Sequence, residues 1–396
     1  MTHSIETIQE QLKRLGVDGW LLYVWRDRNP TAIATLGLDP ENHVSRRAFY
    51  FIPTEGEPRK LHHAIEPHTL EHLPGSDSRY LSYQSLHAQL KALIGDAKKI
   101  AMEYSPNALI PTVSWVDAGT IELIRSFGVE IVTSAELIQH FEAVINDEQI
   151  ETHLSAATTI RDIAREAFEH IGDKLRAGEE VREYQVQQFI MKRFGEANLV
   201  PDHPPIVAAN EHASDPHYCP EEGTDTAFKA GDLVLIDLWA RFGGNPLSVV
   251  ADETWMGYLG TEVPAKMKEI WELVRDARRA GFNLVQSRMQ QGEAVYGWEV
   301  DDAVRKPITD AGYGDYFIHR TGHSITTVTH GNGANIDNLE TKELRPLIPR
   351  TLFSLEPGIY LPEFGVRSEN DVLITPDGRP IVADGCDQED LILVVV

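Results

Sequence analysis

The stretch Phe353–Asp371 reads FSLEPGIYLPEFGVRSEND, and it decides how the C-terminal part of the chain folds. Apolar residues lead into Glu356, and a similar run leads into Glu369 after a turn marked by Pro362. This spacing of proline and glycine predicts a β-hairpin. With the turn centred on Pro362-Glu363, the two glutamates face each other across the strands, where like charges repel. A cation between them would explain why apolar strands lead into two carboxylates.

A second pair of acids lies upstream in a similar setting. The segment Asp232–Trp239 is a predicted strand that carries Asp237 in its apolar interior, and the segment that runs back ends in Asp252. A Gly-Gly-Asn-Pro sequence between them predicts a turn. A turn centred on Gly244-Asn245 places Asp237 directly opposite Asp252. An acid in such apolar surroundings is rarely an ordinary solvated loop residue.

Three histidines, His319, His323 and His330, lie within twelve residues of a glycine-containing segment. A single histidine is more often a core or surface residue than a ligand, but three together favour a ligand, whereas His217 is a weaker signal. Four carboxylates that approach one another all ionise only when cations compensate them. Two divalent ions would balance the four acids. An oxygen-rich site with one imidazole and no thiolate suits Mn²⁺, Co²⁺, Fe²⁺ or Zn²⁺.

Length and composition exclude several classes of protein. A chain of 396 residues is too long for one hydrophobic core, so we expect two domains. The net charge of −25 argues against nucleic acid or an anionic membrane as a partner. The sequence contains neither a secretory signal nor an apolar run of about 18 residues, so we expect no membrane span and a cytoplasmic location. Its two cysteines predict neither a disulfide framework nor a cysteine-rich zinc site.

Helix-like and strand-like segments alternate over residues 1–147, which predicts an α/β N-terminal domain without a convergent set of ligands. Residues 148–396 differ, because they contain two pairs of predicted helices: Glu148–Leu175 with Glu183–Phe194, and Pro264–Met289 with Trp298–Ala311. Each pair encloses the pattern G-E-x-V-x-x-aromatic-x-V, which begins at Gly178 and again 114 residues later at Gly292. We therefore predict an internal repeat with pseudo-two-fold symmetry and a site shared between its two copies.

The two pairs of acids and one histidine resemble a known ligand set. In order and local context they match the five metal ligands of the metallopeptidase superfamily that contains methionine aminopeptidase, aminopeptidase P and prolidase. The sequences TGH, SLEPGIY and GVRSEND carry this resemblance. It covers about residues 148–396 and implies an α+β pita-bread catalytic domain there. Residues 1–147 resemble, less specifically, the N-terminal domain of creatinase and prolidase.

The resemblance implies two divalent ions, with Mn²⁺ as the first expectation and Co²⁺, Zn²⁺ or Fe²⁺ as alternatives. Asp237 would bind one ion, while His323 and Glu356 would bind the other. Asp252 and Glu369 would bridge the two.

The resemblance also implies roles in catalysis and substrate binding. Glu356 would transfer the proton of the attacking water. His217 and His330 would stabilise the tetrahedral intermediate and the leaving nitrogen. His319 and Arg367 match the accessory pair of the branch that cleaves Xaa-Pro bonds, and together with His330 they would bind the substrate.

The sequence departs from the family pattern at several positions. Asp237 and Asp252 are fifteen positions apart, four more than is usual, so the hairpin must be longer. Ser324 stands where glycine is usual, and Trp255 stands where arginine is usual. Gly331 replaces an acidic residue, and we expect it to open a position that would otherwise close the pocket.

We therefore expect a metallo-exopeptidase that hydrolyses Xaa-Pro bonds in dipeptides or at the N-terminus of short peptides. A homodimer is also expected, because the corresponding N-terminal domain in the family packs near a neighbouring subunit's active site. The alternatives are a metal-dependent lyase of the same fold, a creatinase-like hydrolase that needs His217 but no metal, and a catalytically inactive binding protein. The five intact ligands argue against the inactive protein.

Overall fold

The computed structural model describes residues 3–39 and 44–396, and the chain divides into two compact units, Met1–Phe141 and Glu142–Val396. In the first unit, the described helices are α1 Ile5–Leu15, α2 Pro30–Leu36, α3 Tyr83–Ile94, α4 Ala118–Arg125 and α5 Ala135–Ile138. The described strands are β1 Gly19–Val24, β2 Ala48–Pro53, β3 Arg59–His63, β4 Ser76–Tyr80, β5 Lys99–Met102 and β6 Glu130–Thr133.

These strands form one sheet in the order β4-β3-β2-β1-β5-β6. Only β2 runs against the others, so β1, β3, β4, β5 and β6 end at the edge where β2 begins. The predicted α/β character is confirmed for this unit. Helix α1 illustrates the local signals, because Ser4 accepts the Thr7 N–H at its start and Gly16 ends it with φ 63°.

In the second unit, the described helices are α6 Asp147–Arg176, α7 Glu183–Glu196, α8 Ala265–Gln290 and α9 Gly297–Asp310. The described strands are β7 Leu199–Val200, β8 Ile206–Ala209, β9 Leu233–Phe242, β10 Ala251–Leu259, β11 Ser324–Ile325, β12 Leu352–Leu355, β13 Gly358–Leu361, β14 Phe364–Arg367, β15 Asn370–Ile374, β16 Pro380–Ile381 and β17 Ile392–Val394. Within the described ranges of both units, no helix has the length and apolar character needed to cross a membrane.

Two layers of helices cover two sheets in this unit. The first sheet has the order β17-β10-β9-β7, with β8 also paired to β9, and α6 and α7 pack on it through residues such as Phe168 and Ile190. The second has the order β11-β12-β15-β16, and α8 and α9 pack on it through Val285 and Val300. Strands β13 and β14 form a separate hairpin. We call α6, α7 and β7–β10 the first copy, and α8, α9 and β11–β16 the second copy.

The internal repeat is visible in the second helix of each copy. Helices α7 and α9 are 114 residues apart at both ends, from 183 to 297 and from 196 to 310. Each begins with the same contact, because the Arg182 N–H donates to Gln185 Oε1 and the Tyr296 N–H donates to Glu299 Oε2, both at 3.0 Å. The predicted repeat is therefore confirmed at the level of single hydrogen bonds.

The predicted register is correct for one of the two acid-bearing hairpins and wrong for the other. In the C-terminal hairpin, Leu355 pairs with Asn370 and Leu361 pairs with Phe364, which is the predicted register. In the other, the prediction that Asp237 lies directly opposite Asp252 is wrong.

There, Asp252 pairs with Trp239, and Asp237 pairs with Thr254. The turn centre lies one residue later than predicted, and the end of β9 pairs instead with β7, where Phe242 faces Leu199. A shift of two residues keeps both acids on one face of the sheet.

Candidate metal centre

A cleft of about 920 Å³ in the second unit is lined by every residue that the sequence suggested for the site. These residues are His217, Asp237, Asp252, His319, His323, His330, Glu356, Arg367 and Glu369. The first copy supplies the two aspartates, from β9 and β10. The second copy supplies the two glutamates from the ends of β12 and β15, and three of the histidines. The structure therefore brings together residues that are up to 152 positions apart, from 217 to 369.

Ser354 positions two of these residues at once. Its hydroxyl accepts the His323 backbone N–H at 3.0 Å and donates to Glu356 Oε1 at 3.2 Å. Ser354 lies on β12 two residues before Glu356, so both side chains leave the same face of the strand. The SLE sequence thus holds the histidine-bearing segment against one glutamate.

The closest group of potential ligands is formed by Asp252, His323 and Glu369, whose ligand atoms all lie within 4.8 Å of one another. His323 Nε2 is 3.6 Å from Asp252 Oδ2 and 3.4 Å from Glu356 Oε1. His323 Nδ1 is 3.3 Å from the Ser324 carbonyl oxygen, which assigns the proton to Nδ1. The lone pair of Nε2 therefore faces carboxylate oxygens, an arrangement that a cation between them would stabilise.

Asp237 is held by Arg367, which is itself 3% exposed. Arg367 Nη2 donates to Asp237 Oδ2 at 2.5 Å, Nε donates to Thr254 Oγ1 at 3.0 Å, and Nη1 donates to the Tyr360 hydroxyl at 3.2 Å. The other carboxylate oxygen, Asp237 Oδ1, is buried and has no hydrogen-bond partner among the described residues. A buried carboxylate oxygen that receives no hydrogen bond is suited to bind a metal ion.

Two further contacts join the copies beside the ligands. Thr254 Oγ1 donates to Glu369 Oε2 at 2.6 Å. The same hydroxyl accepts a hydrogen bond from Arg367 Nε, so it links the arginine to a second acid. The Asp252 backbone N–H donates to Asp371 Oδ2 at 2.8 Å. Both contacts link β10 of the first copy to the segment at β15 of the second copy.

Burial and charge perturb the acids strongly. Burial and the neighbouring carboxylates raise the pKa of Asp252 and of Glu369 well above the ordinary values for these groups. Burial raises the pKa of Glu356 to about 7, although Arg367 opposes this rise. Burial also raises the pKa of Asp237, again against the effect of Arg367. Burial therefore favours the neutral form of these acids, and nearby cations would favour the charged form.

The imidazole of His323 completes the set. Burial lowers its pKa well below the ordinary value, so the ring is neutral and can act as a ligand. Four carboxylates, one neutral imidazole, an unpartnered buried oxygen and no thiolate among the ligands suit a pair of divalent cations of the Mn²⁺, Co²⁺, Fe²⁺ or Zn²⁺ kind. The residues present therefore fit the ions that the sequence predicts.

His319 belongs to a chain of hydrogen bonds in the cleft wall. Its Nδ1 donates to the Arg320 carbonyl oxygen at 2.7 Å, so its Nε2 accepts from the Tyr360 hydroxyl, also at 2.7 Å. Burial and, to a smaller extent, the charge of Arg367 lower the pKa of His319 to about 3. The ring is therefore neutral. Tyr360 joins it to Arg367.

His217 and His330 are exposed to the cleft and are not part of the closest ligand group. The His330 ring packs edge-on against His323, with ring centroids 4.4 Å apart, and burial lowers its pKa. The His217 backbone N–H donates to Asp215 Oδ1 at 3.0 Å, which fixes its loop. Both imidazoles can reach a molecule in the cleft while the acids hold cations.

The departures at Ser324 and Gly331 compensate each other. The Gly331 N–H donates to the Ser324 carbonyl oxygen at 2.7 Å. A Cβ atom at Gly331 would lie 2.9 Å from Thr326 Cγ2 and 3.1 Å from Ser324 Oγ. The expectation that Gly331 opens the pocket is therefore wrong, because the side chains of Ser324 and Thr326 fill that space.

Trp255, which stands where arginine is usual in the family, does not line the cleft. Its indole is 3% exposed and packs in the core between α6, α7 and the first sheet. Its Nε1 donates to Glu253 Oε2 at 2.8 Å. Both residues lie on the face of β10 opposite to Asp252, so the replacement of arginine changes the core behind the site and not the site itself.

Three functional contacts were missed by the sequence reasoning. Thr254 follows Asp252 by two residues, so strand alternation could have placed it on the same face. Tyr360 lies inside the hairpin sequence that was recognised, but its role depends on its partners His319 and Arg367. The bond from Thr329 Oγ1 to Asp202 Oδ2, at 3.0 Å, joins positions 127 residues apart at the cleft, and no local signal predicts it.

Comparison with known proteins agrees with this geometry. Residues 156–376 match the sequence profile of metallopeptidase family M24. The chain is 32% identical over 252 residues to an uncharacterised peptidase, YqhT, of Bacillus subtilis, which is 63% of this chain and 65% of that protein. It is 36% identical over 176 residues to an Xaa-Pro dipeptidase of Lactobacillus delbrueckii subsp. lactis, which is 44% of this chain and 42% of that protein. The matches thus span less than two thirds of either relative.

A crystal structure of recombinant prolidase from Thermococcus sibiricus is similar over 98% of both chains, with a TM-score of 0.60 and 21% identity. This likeness shows a shared fold, which is the pita-bread fold in the second unit. The profile match runs from 156 to 376 and so covers 221 residues, more than half of the 396 in the chain. It includes both acid-bearing hairpins and the histidines between them. On this match, the chain belongs to metallopeptidase family M24.

Proposed function

We propose that the chain is a dinuclear metallo-exopeptidase that hydrolyses Xaa-Pro bonds, in dipeptides or at the N-terminus of short peptides. The observation that carries this proposal is the convergence of four perturbed carboxylates and the neutral His323 in one cleft. The Xaa-Pro dipeptidase among the relatives supports the substrate class. In this proposal, residues 148–396 are the catalytic domain and residues 1–147 are a supporting domain.

The five ligands divide between two ions. Asp237 would hold one, His323 and Glu356 would hold the other, and Asp252 and Glu369 would contact both. When bound, such a pair lowers the pKa of water and polarises the carbonyl of the scissile bond. We propose Mn²⁺ first, with Co²⁺, Zn²⁺ and Fe²⁺ as alternatives, because all four accept carboxylate and imidazole ligands.

The residues of the chain would then move the protons. Glu356, oriented by the hydroxyl of Ser354, would accept a proton from the attacking water and transfer it to the departing nitrogen. His330 is neutral and faces the cleft, so its N–H can stabilise the negative charge that develops on the carbonyl oxygen. His217 would assist on the side of the leaving nitrogen.

The wall formed by His319, Tyr360 and Arg367 would bind the substrate. Its members are linked through the Tyr360 hydroxyl and are fixed in place by burial. We propose that this rigid wall frames the proline ring, together with His330. Arg367 would have a second task, which is to oppose, through their ion pair, the rise that burial causes in the pKa of Asp237.

A test of the substrate class compares Xaa-Pro with Xaa-Ala peptides on metal-loaded protein. A proline leaves no N–H on the scissile bond, and its nitrogen departs as a secondary amine that must be protonated. A site that polarises the carbonyl and protonates the nitrogen through Glu356 does not need the missing hydrogen. Alanine also lacks the ring that the wall would frame. We therefore expect kcat/KM for Leu-Ala to be at least about tenfold below that for Leu-Pro.

Equal rates for Leu-Pro and Leu-Ala would contradict the proline preference and indicate a broader aminopeptidase. Absence of cleavage of either peptide, with both ions verified by elemental analysis, would contradict the peptidase and favour the lyase or the binding protein. A parallel comparison of Leu-Pro with Leu-Pro-Gly would separate a dipeptidase from an enzyme that acts on longer peptides.

We further propose that the protein is a homodimer in the cytoplasm and has no nucleic-acid partner. The resemblance of residues 1–147 to an N-terminal domain that packs near a neighbouring subunit supports the dimer, and the net charge of −25 disfavours nucleic acid. Sedimentation velocity at micromolar concentration is expected to give twice the mass of the chain. A single species with the mass of one chain would contradict the dimer.

A further inference from the structure

We propose that the first unit contains a second binding site, for a small organic carboxylate with a planar apolar body. The site is a cavity of about 790 Å³ that is lined only by residues of this unit. It lies at the ends of β1, β3 and β4, beside the start of β2 and the first turns of α3 and α4. This proposal is independent of the peptidase activity.

The position of the cavity in the fold is one where ligands bind. In open α/β sheets, ligands commonly occupy the space outside the carboxyl ends of the strands. Here β1, β3 and β4 end at one edge, and α3 and α4, which pack on the same face of the sheet, begin there beside the cavity. The positive end of the α3 dipole faces the cavity and favours a negatively charged group, whereas the positive end of the α4 dipole is already met by the Asp117 carboxylate.

Arg47 supplies a charge that the protein itself does not use. Its side chain is half-buried in the cavity wall, and its guanidinium has neither an ion pair nor a hydrogen bond within residues 3–39 and 44–396. It lies close enough to the Tyr23 and Tyr80 hydroxyls to oppose the rise of their pKa values. A guanidinium is always charged, and a carboxylate is its natural bidentate partner.

Tyr23 adds a buried hydroxyl to the cavity wall. The residue is 3% exposed, and its hydroxyl makes no hydrogen bond of ordinary geometry among the described residues, although the side chains of Asp117 and Thr120 lie beside it. The nearby Asp117 is already engaged as the N-cap of α4, where it accepts from Thr120 N–H at 2.9 Å and Thr120 Oγ1 at 2.8 Å. Burial raises the pKa of Tyr23 to about 12, so the hydroxyl stays protonated and can donate to a carboxylate. A buried hydroxyl that makes no hydrogen bond of ordinary geometry is free to donate to a ligand in the cavity.

The remaining wall is aromatic, which defines the rest of the ligand. Trp25, Tyr80 and Tyr83 line the cavity, and Tyr83 is 65% exposed. Tyrosine and tryptophan surfaces that stay partly open to solvent can stack on a planar apolar group. A carboxylate at Arg47 and Tyr23 would leave an attached ring to lie against these side chains.

The test is calorimetric titration of metal-loaded, full-length protein with benzoate as the probe. We expect Arg47→Gln to weaken binding by at least about tenfold, because it removes a charge-assisted bidentate contact. Tyr23→Phe is expected to weaken binding by about threefold to tenfold, which is the effect of one hydrogen bond. The control is Arg79→Gln, an exposed arginine of the same unit that pairs with Asp77 and does not line the cavity. Its isotherm should match that of the unchanged protein.

Two further measurements test whether binding depends on the carboxylate of the probe and on the side chain of Arg47. Benzyl alcohol has the same ring without the charge, and we expect no measurable binding of it. Benzoate that binds at the metal centre would do so equally in all variants, so only the difference between variants reports on the cavity. Arg47→Lys replaces Arg47→Gln if that variant fails to fold. It keeps the positive charge but loses the bidentate contact of the guanidinium, so its affinity for benzoate should be lower than that of the unchanged protein. Identical benzoate isotherms for Arg47→Gln, or Arg47→Lys in its place, and the unchanged protein, or equal binding of benzyl alcohol, would overturn the proposal.

Discussion

Removal of the divalent ions is expected to abolish peptide hydrolysis and to lower the melting temperature by roughly 5–10 °C. One ion that binds only the folded chain stabilises it by about 2.7 kcal/mol at a hundredfold excess over Kd, so the expected shift is that for loss of a single ion and is a lower bound for a pair. Each kcal/mol shifts the melting temperature of a unit of this size by about 2–4 °C. The loss of rate follows because the four carboxylates and His323 have no other means of activating water.

The measurement is activity and calorimetric melting before and after chelation, with metal content determined by elemental analysis. Addition of Mn²⁺ or Co²⁺ should restore both properties. The control is protein treated with chelator that has been saturated with the same metal beforehand, which should lose neither. Full activity in protein verified to be metal-free would rule out the dinuclear site.

The loss of thermal stability should also grow with pH. In the metal-free site, burial holds the pKa of Glu356 at about 7 and raises the pKa of Asp252 and Glu369 well above their ordinary values. The folded chain therefore binds more protons than the unfolded chain from about pH 4 upward, so its stability falls as pH rises through about pH 7.

Bound cations replace these protons and remove the effect. Melting curves of loaded and stripped protein should diverge progressively from about pH 5 to about pH 8. Parallel curves over this range would show that the carboxylates are not neutralised in the way that their burial implies.

The second prediction compares a variant of a residue that would act on substrate with a variant of a residue that would bind metal. His330→Ala should lower kcat by about a hundredfold to a thousandfold while both ions stay bound, because the ring faces the cleft and contacts His323 only by packing. Asp252→Asn should lose metal as well as rate, because this carboxylate belongs to the closest ligand group.

Both variants are compared by kcat and by bound metal per chain. His170→Ala is a matched control, because His170 lies in the same unit, stacks on Phe189 and does not line the cleft. It should keep both rate and metal. Equal loss of metal from His330→Ala and Asp252→Asn would mean that His330 is a ligand and has been assigned the wrong role.

Much of the site was predictable because its signals are local. Glu356 and Glu369 lie in a hairpin whose turn is marked by Pro362, and strand alternation fixes the face on which each appears. The register of Asp237 against Asp252 was not predictable in the same way. It depends on the pairing of β9 with the distant β7, which the loop sequence does not reveal.

The exchange between Ser324 and Gly331 was also hidden, because it requires knowing that these two residues touch. Each position departs from the family pattern, and only the structure shows that one side chain fills the space left by the other. The network from Arg367 through Thr254 to Glu369 was missed for a similar reason, since it joins residues more than 100 positions apart.

The alternation of helix-like and strand-like segments predicted for residues 1–147 does not include β3 or β4. Strand β4 is the clearer case. That strand reads SDSRY and is mostly exposed, so it lacks the alternation of apolar and polar residues by which strands are recognised. Helix α2 was missed because it has only seven residues, although Asn29 and Pro30 form a good start signal. Short elements at the border of a sheet depend on their neighbours more than on their own sequence.

The contacts that join the two copies beside the ligands also determine how ions enter and leave. Arg367 holds Asp237, Thr254 holds Glu369, and Asp371 holds the backbone of Asp252, each across the boundary between copies. Neither copy alone contains a complete coordination shell. An ion that leaves would therefore break contacts with both copies, and local opening between the copies would speed its loss. The rate at which bound metal dissociates would then report how often the second unit opens locally between its two copies.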